Sequence, residues 1–217
     1  MELDGIFQDR WEAGRVLADR LRRYADREDV IVLALPRGGV PVGYEVAKAL
    51  NVPLDLLMVR KLGLPGQEEL AMGAIASGGV CVLNDEVIKM TGVPKEVIER
   101  VANDEKNELE RRELEYRGNR PPPEVEGRTV ILVDDGVATG STIRAGVEAL
   151  RTRRPARIVV AVPTASPAAC ESLALIADEV VCVAQPDPFM AISLSYVEFP
   201  QLSDDDVRDI LRRAARK

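Results

Sequence analysis

The chain has 217 residues, of which 46% are hydrophobic and 30% charged, with a net charge of −7 and no histidine. That much apolar sequence suits a single globular domain with a substantial core. The missing histidine excludes Ser–His triads, imidazole acid–base catalysis and histidine metal sites, and the acidic balance makes non-specific nucleic-acid binding unlikely on charge grounds.

The N-terminal stretch MELDGIFQDRWEAGR is charged and has no apolar core, so no signal peptide is expected, and no apolar run approaches a membrane span. Cys81, Cys170 and Cys182 are odd in number, lack C-x-x-C spacing and sit mostly in apolar runs. They read as buried free thiols of a cytoplasmic protein.

In chain order, Gln8 to Tyr24 reads as an amphipathic helix with Trp11, Leu17, Ala18 and Leu21 on its apolar face and the arginines elsewhere. Trp11 is expected to pack in the core. Val30 to Leu35 is a buried strand that breaks at Pro36-Arg37-Gly38-Gly39 before the helical run VPVGYEVAKAL. A strand followed by P-R-G-G suits an anion: the glycines let backbone N–H groups approach closely, and Arg37 adds charge. A third strand, Leu54 to Val59, leads into Arg60-Lys61-Leu62-Gly63-Leu64-Pro65-Gly66, two cations followed by a Gly/Pro-rich segment able to act as a lid. Ala71 to Ala76 and Val80 to Leu83 suggest a hairpin.

Residues 84–123 are the least typical stretch. Residues 94–117 form a charged helix opening at Pro94, read first as solvated and laced with i,i+4 ion pairs, with a subunit contact or a shield over a neighbouring site as the alternative; Pro121-Pro122-Pro123 then returns the chain to the core.

Val130 to Ile143, VILVDDGVATGSTI, organises the rest. Four apolar residues form a buried strand ending in Asp134 and Asp135. A small turn follows, and Ser141-Thr142 open a helix. The free N–H groups and positive dipole end of that helix, with the hydroxyls of Thr139, Ser141 and Thr142, make a phosphate cradle. It is not a Walker A loop, since no Lys precedes Ser141, and G-x-G-x-x-G is absent. Acids set before a phosphate loop suit a ligand with vicinal hydroxyls near its phosphate, such as a ribose 5-phosphate. Further strands, Ile158 to Val162 and Glu179 to Ala184, flank a helix capped by Ser166-Pro167, giving a mostly parallel, doubly wound α/β sheet with its ligand loops at the strands' C-terminal ends.

The segment Val130 to Ile143 resembles the phosphoribosyl-diphosphate signature of the type I phosphoribosyltransferases. The resemblance covers about residues 30–184, with residues 185–217 as a hood or tail and 84–123 as an insertion. It implies transfer of ribose 5-phosphate from phosphoribosyl diphosphate to a small nitrogenous base, with Mg²⁺ on diphosphate and ribose and a homodimer as the usual assembly. Asp134 and Asp135 then serve the ribose hydroxyls, directly or through Mg²⁺ and its waters. Ala138, Thr139, Gly140, Ser141 and Thr142 take the 5-phosphate, Arg37, Gly38 and Gly39 the diphosphate, and Arg60 with Lys61 stabilise it as it leaves. The family's strained cis peptide is expected at Arg37–Gly38.

Arg60 to Gly66 is similar to the lid entry of adenine phosphoribosyltransferases, one residue shorter. Pro186-Asp187-Pro188-Phe189 resembles a hypoxanthine–guanine segment whose aromatic stacks on the base, which makes Phe189 a candidate. Ala138 stands where 6-oxopurine enzymes carry an acid, so hypoxanthine and guanine are disfavoured. The rival reading is a phosphoribosyl-diphosphate sensor without transfer activity. A phosphatase is disfavoured because Asp134-Asp135 lacks D-x-D spacing.

Overall fold

The protein's structure, a computed structural model, describes residues 7–118 and 120–215, with Glu69 described by its backbone only. Residues 1–6, within the stretch read as lacking a signal peptide, and residues 216 and 217 of the expected tail lie outside the described residues, as does Asn119 of the insertion.

In chain order the elements are α1 (Arg10–Arg20), β1 (Val30–Ala34), α2 (Gly39–Leu50), β2 (Leu54–Leu56), β3 (Val59–Leu64), β4 (Gln67–Ala76) and β5 (Val80–Leu83). There follow α3 (Asp85–Thr91), α4 (Lys95–Arg117), β6 (Thr129–Val133), α5 (Ser141–Thr152), β7 (Arg157–Thr164), α6 (Pro167–Ala174), β8 (Glu179–Ala184) and α7 (Asp204–Ala214). Five strands form a parallel sheet in the order β2-β1-β6-β7-β8, with Ile31 opposite Val130 and Leu33 opposite Leu132. Every residue of β1 and β6 is buried, as in strands covered on both faces.

Strand alternation divides the core in two. Val30, Val32, Ile131 and Val133 face Leu17 of α1, Leu21 at its C-terminal end, and Val42, Val46 and Leu50 of α2. Ile31, Leu33, Val130 and Leu132 face Ile143, Val147 and Leu150 of α5 and Leu173 of α6. Trp11 packs edge-on to Tyr44 at 5.7 Å between ring centroids, the core role expected of it.

Three expectations need correction. Leu54 to Val59 is not one strand: β2 ends at Leu56, the Leu57 N–H bonds back to Ala34 O, and the Met58 N–H turns away to Ser77 Oγ. The Arg60–Gly66 segment therefore enters a second, antiparallel sheet, β3-β4-β5, as a strand and a tight turn with Gly66 at φ 83°. Second, Cys81 is exposed, whereas Cys170 is buried and Cys182 is half-buried with its thiol pushed up to about 12 by burial.

Third, α4 is more than a solvated rod. It carries the expected surface pairs, such as Lys95–Glu99 and Lys106–Glu110. Yet Leu109 and Tyr116 enter a cluster with Ile75, Val207, Ile210 and Leu211. Arg117, 5% exposed, pairs with Asp55 and Glu113 and donates to Leu56 O.

Leu109 is 1% exposed and Leu114 is 59% exposed. Leu109→Ala is expected to cost about 2–5 kcal/mol of unfolding free energy in urea titrations, and Leu114→Ala less than about 0.5 kcal/mol.

Candidate functional site

The ends of β1 and β6 lie side by side, and the Leu35 N–H bonds to Val133 O at 2.9 Å. The P-R-G-G loop is thereby laid directly onto the two-acid tip. A Cβ on Gly38 would sit 2.0 Å from Asp135 Oδ2, and one on Gly39 2.7 Å from Val133 O, so both positions require glycine. The non-proline cis peptide is Pro36–Arg37, one bond before the expected Arg37–Gly38.

The two acids differ in their surroundings. Asp135 is 8% exposed and receives Arg10 Nε at 2.8 Å, and its carbonyl accepts the Tyr196 hydroxyl. Asp134 is half-buried and accepts the Asp135 N–H at 2.9 Å; it lines a cavity of about 200 Å³ with Gly136 to Ile143. Burial and the charge of Asp135 push the Asp134 carboxyl well above the ordinary carboxylate range. Burial also raises Asp135, against the pull of Arg10.

The rest of that cavity is the cradle. Gly140 stands at φ 78° before α5, where an L side chain would be strained. Helices α1, α3, α6 and α7 are each capped by a side chain, from Asp9, Asn84, Ser166 and Ser203, whereas no side chain caps α2, α4 or α5. The first N–H groups of α2 turn back on the loop before it, Gly39 to Leu35 O and Val40 to Arg37 O, so of the helices after the two loops it is α5 whose uncapped start borders the cradle. Thr139 Oγ1 and Ser141 Oγ lie 3.0 Å apart at the rim.

The structure separates the predicted cations from one another. Lys61 lines a second cavity of about 530 Å³ that it shares with Thr139, Ser141, Arg144 and Glu148, so it faces the cradle from β3. The Arg60 guanidinium instead pairs with Glu105 of α4. Arg37 reaches Asp204 at 2.9 Å and Leu202 O at 2.9 Å, so its side chain points to the tail while its backbone stays in the loop.

Phe189 is half-buried and lines neither cavity; Ile192 covers the cradle, with its Cγ2 2.5 Å from where a Cβ on Gly136 would be.

Sequence reasoning missed Arg10, Glu105, Ile192, Tyr196 and Asp204. For Arg10 a signal existed: it falls in the buried stripe Arg10, Ala13, Gly14, Leu17, Ala18, a charged residue at a core spacing. The others come from segments without motif, joined to the site only by the fold.

Comparison with known proteins agrees with this geometry. The family profile described as "Phosphoribosyl transferase domain" matches residues 8–183. A Mycobacterium tuberculosis protein named "Putative phosphoribosyl transferase" is 46% identical over 211 residues, covering 97% of this chain and 47% of that protein, so this chain spans about half the length of the curated relative. The crystal structure of TT1426 from Thermus thermophilus superposes with a TM-score of 0.87 at 42% identity, over 96% of this chain and 98% of that one. With a matched profile that spans both anion loops, the acidic strand tip and the sheet that carries them, this chain belongs to the phosphoribosyl transferase domain family.

Proposed function

We propose that the chain binds phosphoribosyl diphosphate and transfers its ribose 5-phosphate to a nitrogen of a small base, releasing diphosphate. The observation that carries this reading is the uncapped start of α5 beside Asp134, with the P-R-G-G loop against the same strand tip. The 5-phosphate takes the N–H groups and hydroxyls of Ala138 to Thr142, where dipole and donors favour an anion. Asp134 accepts from the ribose hydroxyls. The backbone of Arg37 to Gly39 receives the diphosphate, and Lys61, on the wall facing the cradle, neutralises charge as it leaves. With both ends of the donor held, the bond from C1 to the diphosphate breaks through an oxocarbenium-like centre, and the base nitrogen forms the new bond to C1.

Two adjacent carboxylates at one strand tip, Asp135 buried and Asp134 half-buried, both with raised proton affinity, are a donor set that a divalent cation would relieve. No group of three or more potential metal ligands occurs among the described residues, so a Mg²⁺ would rest on Asp134, directly or through water, with ligand oxygens completing its shell. Bound there, it would neutralise diphosphate charge. Ala138 at the rim keeps the acceptor among adenine, a pyrimidine or another base lacking the 6-oxo group.

Pairing of Arg37 and Arg60 with Asp204 and Glu105 favours a second reading, a sensor that binds phosphoribosyl diphosphate without transfer. Diphosphate release across adenine, guanine, hypoxanthine, xanthine, uracil and orotate separates the two. One active base, not a 6-oxopurine, is the expected result. Binding with no release for any base would establish the sensor instead.

Asp134→Asn is expected to lower affinity for Mg²⁺–phosphoribosyl diphosphate at least about a hundredfold in calorimetry. The same change should raise Tm at neutral pH: a carboxyl whose folded pKa is raised costs stability when ionised, and that cost is greatest above the folded pKa. A lowered Tm would contradict the environment assigned to Asp134. Glu105→Gln frees Arg60 from a partly exposed pair and should tighten binding by up to about fivefold, as a pair worth about 0.2–1 kcal/mol allows; unchanged or weaker binding would remove Arg60 from the site.

A further inference from the structure

The two acids of the strand tip do not stand in equivalent places, and the difference has a visible cause. Arg10 projects from the first turn of α1 into the interior, with its side chain 9% exposed. Its Nε meets Asp135 Oδ2 at 2.8 Å, its Nη1 donates to Pro200 O at 2.8 Å, and its guanidinium carbon lies 3.6 Å from the centroid of Phe199. Phe199 stacks on Tyr196 at 4.9 Å, and the Tyr196 hydroxyl donates to the Asp135 carbonyl. The carboxylate of Asp135 is thus held at one oxygen by Arg10 and pressed against Gly38, while its backbone is held by the tail.

A buried Arg–carboxylate pair gains little stability over an apolar pair of the same shape, because both ions lose their water. What it does supply is direction: the planar guanidinium fixes where the carboxylate points. Here that direction is under the P-R-G-G loop and away from the cradle cavity, which Asp134 lines and Asp135 does not.

We infer that Arg10 is a positioning residue: it withdraws Asp135 from the ligand, uses it to seat the Gly38-Gly39 turn, and leaves Asp134 as the one acid of the pair that meets the pentose. This rests on the phosphoribosyl-diphosphate reading above and divides between two residues a role that the motif assigns to both. Tyr196 and Phe199 serve the same end by holding the pair from the tail side.

The test is calorimetric binding of Mg²⁺–phosphoribosyl diphosphate to the full chain, for wild type, Arg10→Met, Arg10→Lys, Asp135→Asn and the double variant Arg10→Met/Asp135→Asn, with inorganic phosphate as a second probe. Arg10→Met and Asp135→Asn should each weaken the diphosphate ligand about tenfold. The double variant should be no weaker than either single one, because the two side chains act as a unit. Arg10→Lys, which keeps the charge but loses the fork, should fall between. Inorganic phosphate, which needs only the cradle, should bind all of them as it binds wild type; a general structural defect would weaken both probes together.

If Arg10→Met does not fold, the double variant decides, since it leaves no buried charge unpaired: binding close to that of Asp135→Asn supports the inference, and binding equal to wild type overturns it. Loss in Asp135→Asn as large as in Asp134→Asn, with Arg10→Met unaffected, would return Asp135 to direct contact with the ligand. No binding by wild type would overturn the functional reading itself, and this inference with it.

Discussion

Burial of the Asp135 carboxylate is the constraint on which the site's architecture depends. A strand tip carrying two adjacent acids inside a protein is unfavourable unless one charge is compensated. Arg10 compensates one, and to do so α1 must lie across α2 with its N-terminal turn at the end of β6. The space under the P-R-G-G loop must also be free, which is why a side chain at Gly38 cannot be accommodated. The tail must return so that Pro200 O, Phe199 and Tyr196 close around the pair. The N-terminal helix, the P-R-G-G loop and the post-β8 segment therefore meet at one ion pair. The other acid, Asp134, lines the cavity instead, its carboxyl pushed well above the ordinary range by burial and by the neighbouring charge of Asp135.

Much of this was legible in the sequence, for definite reasons. The runs VIVLAL and VILV are too branched and too uniformly apolar to be anything but covered strands, and the glycines after each, with hydroxyls after the second, mark anion loops. Leu17, Ala18 and Leu21 repeat at helical spacing, so α1 and its apolar face were readable. What could not be read is where side chains on separate elements meet. Arg60 and Arg37 look alike as loop-end cations, yet each has an acid partner far along the chain, Glu105 and Asp204. The break after Leu56 is also invisible locally, because it is set by a backbone bond to Ala34 in one sheet and a side-chain bond to Ser77 in the other. Phe189, suggested by a matching short segment, lines neither cavity, and the tail residue that borders the cradle is Ile192.

The insertion and the last helix form one peripheral unit. Glu115 pairs with Arg208 at 2.9 Å, Tyr116 bonds Asp204, and Leu109 and Tyr116 share their apolar cluster with Ile210 and Leu211. Through Glu105 and Asp204 this unit holds Arg60 of β3 and Arg37 of the P-R-G-G loop, so the charge around the two loops depends on helices that do not line the cradle cavity. Changes in α4 or α7 can therefore alter the site's electrostatics without altering its motifs.

The pairing of Arg10 with Asp135 joins residues 125 apart in sequence, and the contact of Arg10 with Pro200 joins residues 190 apart. Closure over such spans carries a large entropic cost and is expected late in folding, after the local β–α contacts. A growing chain that has emerged only through α5 holds both acids and the uncapped helix start, but not Thr164 and Ser166, which bond the turn at Val137 and Ala138, nor Tyr196, Phe199 and Pro200, which complete the surroundings of Arg10 and Asp135. The turn therefore gains its supports with β7 and α6, and the acid pair gains its own only with the segment after β8.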